Sequence, residues 1–370
     1  MDWTLFAIEC VKILLILVAV IHVVPIMIWA ERKGAALIQD RPGPNRAGLE
    51  FTSSGILKLF KPIIVLGVLH PVADAMKFLW KEDPIPHSAN KLLYVLGPFL
   101  SLIPACLVIA ALPFGDSVVV FGYTLLLQIA DIDVGIIFML AIGSLGIYGI
   151  MFGGWASNNK FSLIGALRAS SQIISYEIPL GLAAAAAVTV YGTFSLREMV
   201  MLQEGTILGV LPNWGVFYQP VGFVLFFIAA FAETNRLPFD LPETEAELVA
   251  GFHTEYGSMK FATFFMAEYM NMATISGIMT TLYFGGWKIP YVTDATLLQW
   301  LGHQNWVALL QVSSFFIKMG VFMIIFVWVR WTIPRFRFDQ LLRLAWGSLI
   351  PIGLINIVLT ALILYWKAGS

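Results

Sequence analysis

Residues 4–29, TLFAIECVKILLILVAVIHVVPIMIW, decide the fold class of this chain. The stretch is almost entirely apolar, and about 20 such residues in a helix cross a hydrocarbon core roughly 30 Å thick. No Lys or Arg precedes the stretch, and no small-residue cleavage site follows it. We therefore expect it to be a retained membrane-spanning helix and not a signal peptide.

The rest of the chain has the same character. Of its 370 residues, 59% are hydrophobic and only 12% are charged, which lies well outside the range of soluble globular domains. Eight apolar runs predict eight transmembrane helices, at about residues 4–29, 90–112, 132–153, 173–191, 216–232, 262–284, 307–329 and 344–366. The sequence thus predicts an all-α polytopic membrane protein with a single membrane domain over residues 1–370.

The basic residues indicate the orientation, because alternate loops differ sharply in charge. Seventeen of the 22 Lys and Arg belong to one side: Lys91 and those in the four segments 30–89, 154–172, 233–261 and 330–343. The opposite loops and the C-terminal tail hold only Arg197, Lys288 and Lys367. By the positive-inside rule, both termini are expected outside and the four charged loops in the cytoplasm or its equivalent.

The first charged loop, residues 30–89, contains the turn-forming segment QDRPGPNR at residues 39–46. Its prolines and glycine predict a fixed turn that holds Arg41 and Arg46 in position, although a simple cytoplasmic anchor would carry the same charge. Asp74 and Lys77 stand three residues apart, and a helix there would let them form a surface ion pair.

The same loop carries an amphipathic segment at residues 56–64. Its apolar side chains fall on one helical arc, while Lys58 and Lys61 point away from that arc. We expect this segment to lie in the plane of the membrane interface, with a bend at Pro62.

The third charged loop, residues 233–261, gives the strongest functional signal. Between Glu233 and Glu255 there are six carboxylates and one base, Arg236. Carboxylates in a solvated loop would be ordinary, but Phe239, Leu241 and other apolar residues alternate with them and indicate a loop that folds into the protein. Packed carboxylates raise each other's pKa, as does burial, so these acids are candidate proton carriers.

Two further carboxylates lie within or beside apolar runs. Glu177 follows the second loop in the segment SYEIP at residues 175–179, and Glu268 lies in the sixth run. A carboxylate near the centre of a bilayer costs about 2.5–3.5 kcal/mol on insertion scales, and such groups usually face a cavity, a partner or a proton path. A structural hydrogen bond would also explain Glu268, and Lys12 or Lys318 could be its counterion or extend to the interface.

Redox cofactors have no obvious ligands in this chain. Cys10 and Cys106 are too few for an iron–sulfur cluster or a structural zinc site. The five histidines are scattered, and no two stand at the spacing of helical metal ligands. We predict no metal site, and we expect any redox cofactor to belong to a partner protein.

Several segments together resemble one known family. They are ERK at 31–33, RPGPN at 41–45, SNNKFS at 157–162, SYEIP at 175–179 and ETNRLPFDLPE at 233–243. These resemble the signature segments of the H-type membrane subunits of NADH:quinone oxidoreductase, respiratory complex I. The resemblance covers nearly the whole chain, including the eight predicted spans.

The resemblance implies a subunit without a redox centre in a proton-translocating, multisubunit enzyme of the bacterial inner membrane. In such relatives the subunit forms the chamber where quinone, the substrate, accepts electrons, while FMN and iron–sulfur clusters belong to partner subunits. The expected partners are the other subunits of the membrane and peripheral arms, membrane lipid and quinone, with no nucleic acid. The amphipathic helix near 56–66 would border the opening for the quinone tail.

The resemblance also assigns residues to two roles. Those matching the quinone chamber are Glu31, Arg32, Arg41, Asp74, Lys77 and Arg236. Those matching the acidic proton path from the chamber are Glu177, Glu233, Glu243, Glu245, Glu247, Glu255 and Glu268.

Two alternatives remain open from the sequence. The chain could be the equivalent subunit of a ferredoxin-linked quinone reductase or of a membrane-bound hydrogenase, although the basic first loop favours a quinone reductase. A proton-coupled secondary transporter is a remote alternative, because no inverted repeat or pair of broken spans is visible.

Overall fold

Long helices make up most of the computed structural model, which describes residues 3–44, 67–207, 209–243 and 245–369. In chain order the helices of this part are α1 (Trp3–Ile38), α2 (His70–Trp80), α3 (Lys91–Val108), α4 (Gly135–Ser144), α5 (Gly146–Ala156), α6 (Lys160–Tyr191), α7 (Leu196–Leu202), α8 (Gly215–Tyr218), α9 (Pro220–Glu233), α10 (Glu245–Leu248), α11 (Ser258–Tyr283), α12 (Asp294–Leu301), α13 (Gln304–Thr332), α14 (Phe338–Leu344) and α15 (Ile350–Gly369). The interfacial helix predicted near 56–66 lies outside the described residues.

Short strands and turns complete the described structure. Strands β1 (Ser117–Val120) and β2 (Tyr123–Leu126) form one antiparallel hairpin, and β3 (Thr206–Ile207) and β4 (Leu211–Pro212) form another. Short 3₁₀ turns cover Ile109–Ala111 and Gly251–His253, and a π-helical turn over Ala345–Leu349 joins α14 to α15.

Six of the described helical stretches are long and apolar enough to cross a membrane. They are Trp3–Ile38, Lys91–Ala111, Gly135–Ala156, Lys160–Tyr191, Gln304–Thr332 and Phe338–Gly369. The two other predicted spans coincide with α9, which has only 14 residues, and α11, which has 26. The prediction of an all-α polytopic membrane protein is therefore confirmed.

Two of the predicted loops are partly helical in the structure. The supposed second loop, 154–172, is helical from Lys160 onward, because Asn159 caps α6 by accepting a hydrogen bond of 2.9 Å from the Phe161 amide. Helix α1 likewise extends to Ile38, well into the predicted loop 30–89. Pro179 does not break α6, which continues through it to Tyr191.

Small residues bring the helices close together. A Cβ added to Gly149 of α5 would lie 2.2 Å from Ser101 Oγ on α3, and one added to Gly97 would lie 3.0 Å from the Gly153 Cα. In a membrane, helices associate through close packing, since lipid tails are as apolar as the side chains themselves. Helix α6 uses the same device with its buried alanines at 183, 184, 186 and 187.

Polar contacts also hold together the loops at the other end of the helices, opposite the acidic loop. The buried Lys288 ammonium contacts Glu204 at 2.6 Å and also Asp294. Burial alone would lower the pKa of Lys288, but these carboxylates raise it. For Glu204, burial opposes the shift, yet the Lys288 and Asp294 hydrogen bonds keep its pKa below the usual value. The side-chain oxygen of Gln203 accepts hydrogen bonds from the backbone amides of Gly215 and Gly285. These bonds fix the start of α8 against the loop after α11.

Candidate functional site

The acidic loop after α9 is folded into the protein, as the alternation of acids with apolar residues predicted. Phe239 is buried, and its ring lies 5.3 Å from that of Tyr176 and 5.5 Å from that of Phe336. The side-chain amide of Gln172 donates to the Ala232 carbonyl at 2.8 Å. The loop backbone is therefore held against α6 and against the segment between α13 and α14.

Arg236 occupies the centre of a buried ionic cluster. Arg236 is only 4% exposed. Its guanidinium group contacts the carboxylate of Glu268 at 2.7 Å and that of Glu31 at 3.3 Å. The guanidinium carbon also lies 4.2 Å from the centre of the Tyr269 ring. Burial would lower the pKa of Arg236, but Glu268, Tyr269 and Glu31 outweigh it and raise that pKa, so the group stays charged.

A second arginine balances the charge of this cluster. The other carboxylate oxygen of Glu31 pairs with Arg330 of α13, and the Tyr269 hydroxyl donates a hydrogen bond to Glu31. Two guanidinium groups thus face two carboxylates. Because isolated buried charges are costly, such a balanced arrangement is what allows these groups to remain buried.

A cavity of about 40 Å³ lies beside the cluster, and its lining contains the titratable side chains Glu233, Glu243, His253 and Glu268. This volume is enough for at least one water molecule at a polar site. The remaining lining is apolar or neutral and includes Asn271. Within the described part of the chain, the buried Glu233 Oε2 has no hydrogen-bond partner.

A second cavity of similar volume, about 40 Å³, lies between helices α4, α6 and α11. It is lined by Glu177, Glu233 and Asn271 and otherwise by apolar or small residues of α4, α6 and α11, among others. Glu233 and Asn271 therefore line both cavities. This arrangement places Glu233 between the acids beside Arg236 and the acid on α6.

The two loop groups in the first cavity have opposite pKa shifts. Burial, reinforced by the carboxylates of Glu268 and Asp240, raises the pKa of Glu243 despite the nearby arginines. Burial lowers the pKa of His253 to about 4. Both shifts favour the uncharged form, a protonated carboxyl for Glu243 and a neutral imidazole for His253.

Comparison with known proteins decides the family. The model of the NADH dehydrogenase family matches residues 11–361. The H-type NADH-quinone oxidoreductase subunit of Bdellovibrio bacteriovorus is 46% identical, over 96% of this chain and 95% of the relative. That of Leptospira biflexa is 42% identical, over 100% and 98% of the two chains. The chain belongs to the NADH dehydrogenase family.

A further relative is of the same type. An H-type NADH-quinone oxidoreductase subunit of Cytophaga hutchinsonii is 48% identical, over 90% of this chain and 89% of the relative. The resemblance inferred from the sequence motifs is therefore confirmed. Among the described residues of this family member, no group of three or more His, Cys, Asp or Glu could hold a metal ion.

The structure divides the residues matched to the quinone chamber into two groups. Glu31 and Arg236 meet in the buried cluster. Arg32 lies outside it and pairs with Asp74 of α2 at 2.6 Å, while Lys77 lies 3.6 Å from the same carboxylate. The predicted pairing of Asp74 with Lys77 is thus confirmed. Arg41 is exposed beyond α1, where its Nε donates to the Gln39 side chain at 2.7 Å.

Of the acids matched to the family's proton path, four line the cavities: Glu177, Glu233, Glu243 and Glu268. Two others lie elsewhere. The Glu247 side chain is 56% exposed and pairs with Arg168 at 2.6 Å, and Glu255 accepts a 2.6 Å hydrogen bond from Asn159. The side chain of Glu245 lies outside the described part of the structure.

Sequence reasoning missed several members of the site. Arg330 counted only as part of a positive loop, and Tyr269, His253 and Asn271 had no assigned role. Neither of the suggested lysine counterions reaches Glu268. Lys12 pairs with Glu9, and the Lys318 ammonium donates to three backbone carbonyls near the end of α11, including that of Phe284 at 2.8 Å. The adjacency of Tyr269 to Glu268 was the one signal available from the sequence.

Proposed function

We propose that this chain is the quinone-chamber subunit of a proton-translocating NADH:quinone oxidoreductase. Its named relatives support the type of complex, and the buried ionic cluster beside two acid-lined cavities supports the role within it. In this proposal the chain has no redox centre of its own. Electrons come from partner subunits that carry FMN and iron–sulfur clusters, and the chain works only within the assembled complex.

Quinone binding would involve the basic end of α1 and the groups around it. Reduction of a quinone to its dianion adds two negative charges, which a fixed positive environment stabilises. Arg32 at the surface of α1 and Arg236 in the interior supply positive charge at two depths along the proposed chamber wall. Arg41, Asp74 and Lys77 would complete its outer part.

Arg236 is the proposed link between the chamber and the proton path. One guanidinium contacts both Glu31, on the quinone side, and Glu268, which lines the first cavity. A new charge near Glu31 would alter the electrostatic balance that Arg236 shares with Glu268. A proton would then move among Glu268, Glu243 and Glu233, and from Glu233 toward Glu177.

The position of Glu233 is the observation that carries this proposal. It lines both cavities, and its Oε2 is buried without a hydrogen-bond partner among the described residues. A carboxylate with a free oxygen between two water-sized cavities can accept a proton from one side and release it to the other. Glu247 and Glu255, which do not line these two cavities, would be structural or belong to the subunit surface.

The proposed orientation follows the charge asymmetry of the loops. Both termini and the loop that contains Lys288 would face the periplasm of a bacterial inner membrane. The acidic loop, α2 and the end of α1 would face the cytoplasm, where the peripheral-arm subunits would bind. In this arrangement α9 and α11 are the two additional spans, giving eight in all.

Substitution of Glu233 tests the proposal. Glu233→Gln keeps the size and polarity of the side chain and removes its ability to carry a proton. In the assembled complex, NADH-driven proton translocation and quinone reduction should fall at least about tenfold, because a missing proton carrier usually costs 10²–10⁴ in rate and a cavity water can replace part of it. Electron transfer from NADH to a soluble artificial acceptor should be unchanged.

Glu198→Gln is the matched control. Glu198 is an exposed carboxylate at the opposite end of the molecule, where it accepts a hydrogen bond from Thr193. Its substitution should leave proton translocation intact. Full quinone-dependent translocation by the Glu233→Gln enzyme would reject the proposed path.

A further inference from the structure

His253 occupies a rigid turn at the edge of the first cavity. Gly251 begins the turn with φ +58°, and a Cβ there would lie 1.6 Å from the Pro242 carbonyl oxygen, so only glycine fits. Ser162 of α6 donates a 2.7 Å hydrogen bond to the Phe252 carbonyl. The imidazole itself lies edge-on against the rings of Phe261 and Phe265, at 5.2 and 5.9 Å. Backbone and ring contacts thus fix its direction.

One ring nitrogen of the buried imidazole has no hydrogen-bond partner among the described residues. The residue is 8% exposed, and its Nδ1 has no hydrogen-bond partner in the described structure. The nearest carboxylate oxygen, Glu243 Oε1, lies 4.0 Å from Nδ1. Buried nitrogens that lack a partner are uncommon in folded proteins, and each requires an explanation.

The groups that face His253 are acidic, and each comes from a different element. Glu243 lies in the loop, Glu233 at the end of α9 and Glu268 on α11. The residues that helices α3 to α6 contribute to the cavity lining are uncharged: Ser101, Gly143, Gly146, Ile147, Ile150 and Ile173. A neutral imidazole among carboxyl groups can accept a proton from any of them that approaches. Of the three, only Glu243 has a carboxylate oxygen within 4.0 Å of a ring nitrogen.

We propose that His253 is the proton-exchange partner of Glu243 and a working member of the proton path. This inference rests on the function proposed above. In the step, the O–H bond of the protonated Glu243 breaks and an N–H bond forms at His253 Nδ1, which leaves a carboxylate and an imidazolium. The total charge of the pair does not change, and no electron moves.

The chemistry of the pair suits such a step. In the proposed resting arrangement the proton is on Glu243, because burial favours both the protonated carboxyl and the neutral imidazole. A closer approach than 4.0 Å is needed for transfer, and in this proposal a side-chain rotation of Glu243 would bring the two atoms together. Among neighbouring carboxylates, the resulting imidazolium is stabilised, and it can return its proton to Glu243 or release it toward Glu233.

His253→Asn in the assembled complex is the direct test. The amide of Asn places a hydrogen-bonding group near the position of Nδ1, but it cannot bind a proton. The maximal rate of quinone reduction and coupled proton translocation should fall about tenfold, with KM for quinone unchanged. The solvent deuterium isotope effect should rise, because a slowed proton transfer becomes rate-limiting. His303→Asn, at an exposed histidine of the opposite end, should match the wild type.

His253→Ala separates proton exchange from simple positioning. If hydrogen bonding to Glu243 were the whole role, Ala would lose activity and Asn would restore it, and this pattern would overturn the proposal. Equal losses in both variants would support it. Wild-type rates and isotope effects in His253→Asn would overturn it as well.

The same set of enzymes distinguishes this inference from the proposed function. Normal translocation in His253→Asn beside lost translocation in Glu233→Gln would reject only the role of His253. Normal translocation in both would reject the path itself. If the His253 variants fail to assemble, the wild-type enzyme with ring-¹⁵N histidine should show a label-sensitive imidazolium band in the infrared difference spectrum on quinone reduction, and its absence would reject the proposal.

Discussion

Replacement of Arg236 by Gln should destabilise the chain more than replacement of any surface arginine. The substitution removes the cation that contacts Glu268 at 2.7 Å and Glu31 at 3.3 Å. Glu31 keeps Arg330, but within the described residues Glu268 has no other Lys or Arg nitrogen within 4.0 Å. The variant therefore leaves one buried carboxylate uncompensated.

The size of the effect follows from this geometry. Breaking a buried ion pair by removing one partner costs about 3–5 kcal/mol. The lost cation–π contact, in which the guanidinium carbon lies 4.2 Å from the Tyr269 ring centre, adds about 0.5–2 kcal/mol. Gln retains some hydrogen bonding, so we expect a total loss of about 3–5 kcal/mol.

The double variant Arg236→Gln/Glu268→Gln gives a sharper test than the single one. It removes both charges, so no uncompensated carboxylate remains, and it should recover about half or more of the lost stability. The free energy of unfolding of the purified chain can be compared in mixed detergent micelles by titration with a denaturing detergent. Arg168→Gln, which breaks the exposed pair with Glu247, should cost less than about 1 kcal/mol. The reasoning is refuted if the double variant is as unstable as Arg236→Gln, or if Arg236→Gln costs no more than the control.

Two further predictions concern other parts of the fold. Lys288→Met should cost about 3 kcal/mol at neutral pH, since it leaves Glu204 without its buried cation. The lowered pKa of Glu204 stabilises the fold above its usual pKa, so the difference from wild type should shrink as pH falls through the folded-state pKa, which thermal unfolding in an acid series would show. Gly251→Ala should abolish assembly, measured as the chain retained in purified complex, whereas Gly302→Ala, also at positive φ but with open space around it, should assemble.

The sequence predicted the helical membrane fold well because apolar runs of about 20 residues have few other structural solutions. It placed the bounds of α6 poorly for a related reason. Ser162 and Gln172 are polar residues, which hydropathy assigns to a loop, yet they donate hydrogen bonds to the Phe252 and Ala232 carbonyls inside the protein. Sequence alone does not show whether a polar residue on a helix faces lipid or another segment.

The sequence predicted many of the residues of the candidate site, but not which of them contact each other. The acidic loop and Glu268 stood out because carboxylates among apolar residues are unusual. Their pairing was not visible, since Glu31 and Arg236 are 205 positions apart in the chain and meet only through the packing of α1 against α11 and α13. Tyr269 and Arg330 join them for the same tertiary reason.

The geometry of the cluster bears on how a signal would travel through this chain. A relay through many residues would need many coordinated rearrangements, but here a single guanidinium contacts both Glu31 and Glu268. Two carboxylates that share one cation are coupled directly. When a proton neutralises one of them, the electrostatic interaction between the cation and the other carboxylate changes. If Glu31 senses charge on the quinone, Glu268 would respond without any helix movement, and only the steps beyond it, through the cavities beside Glu233, would need water or side-chain rotation.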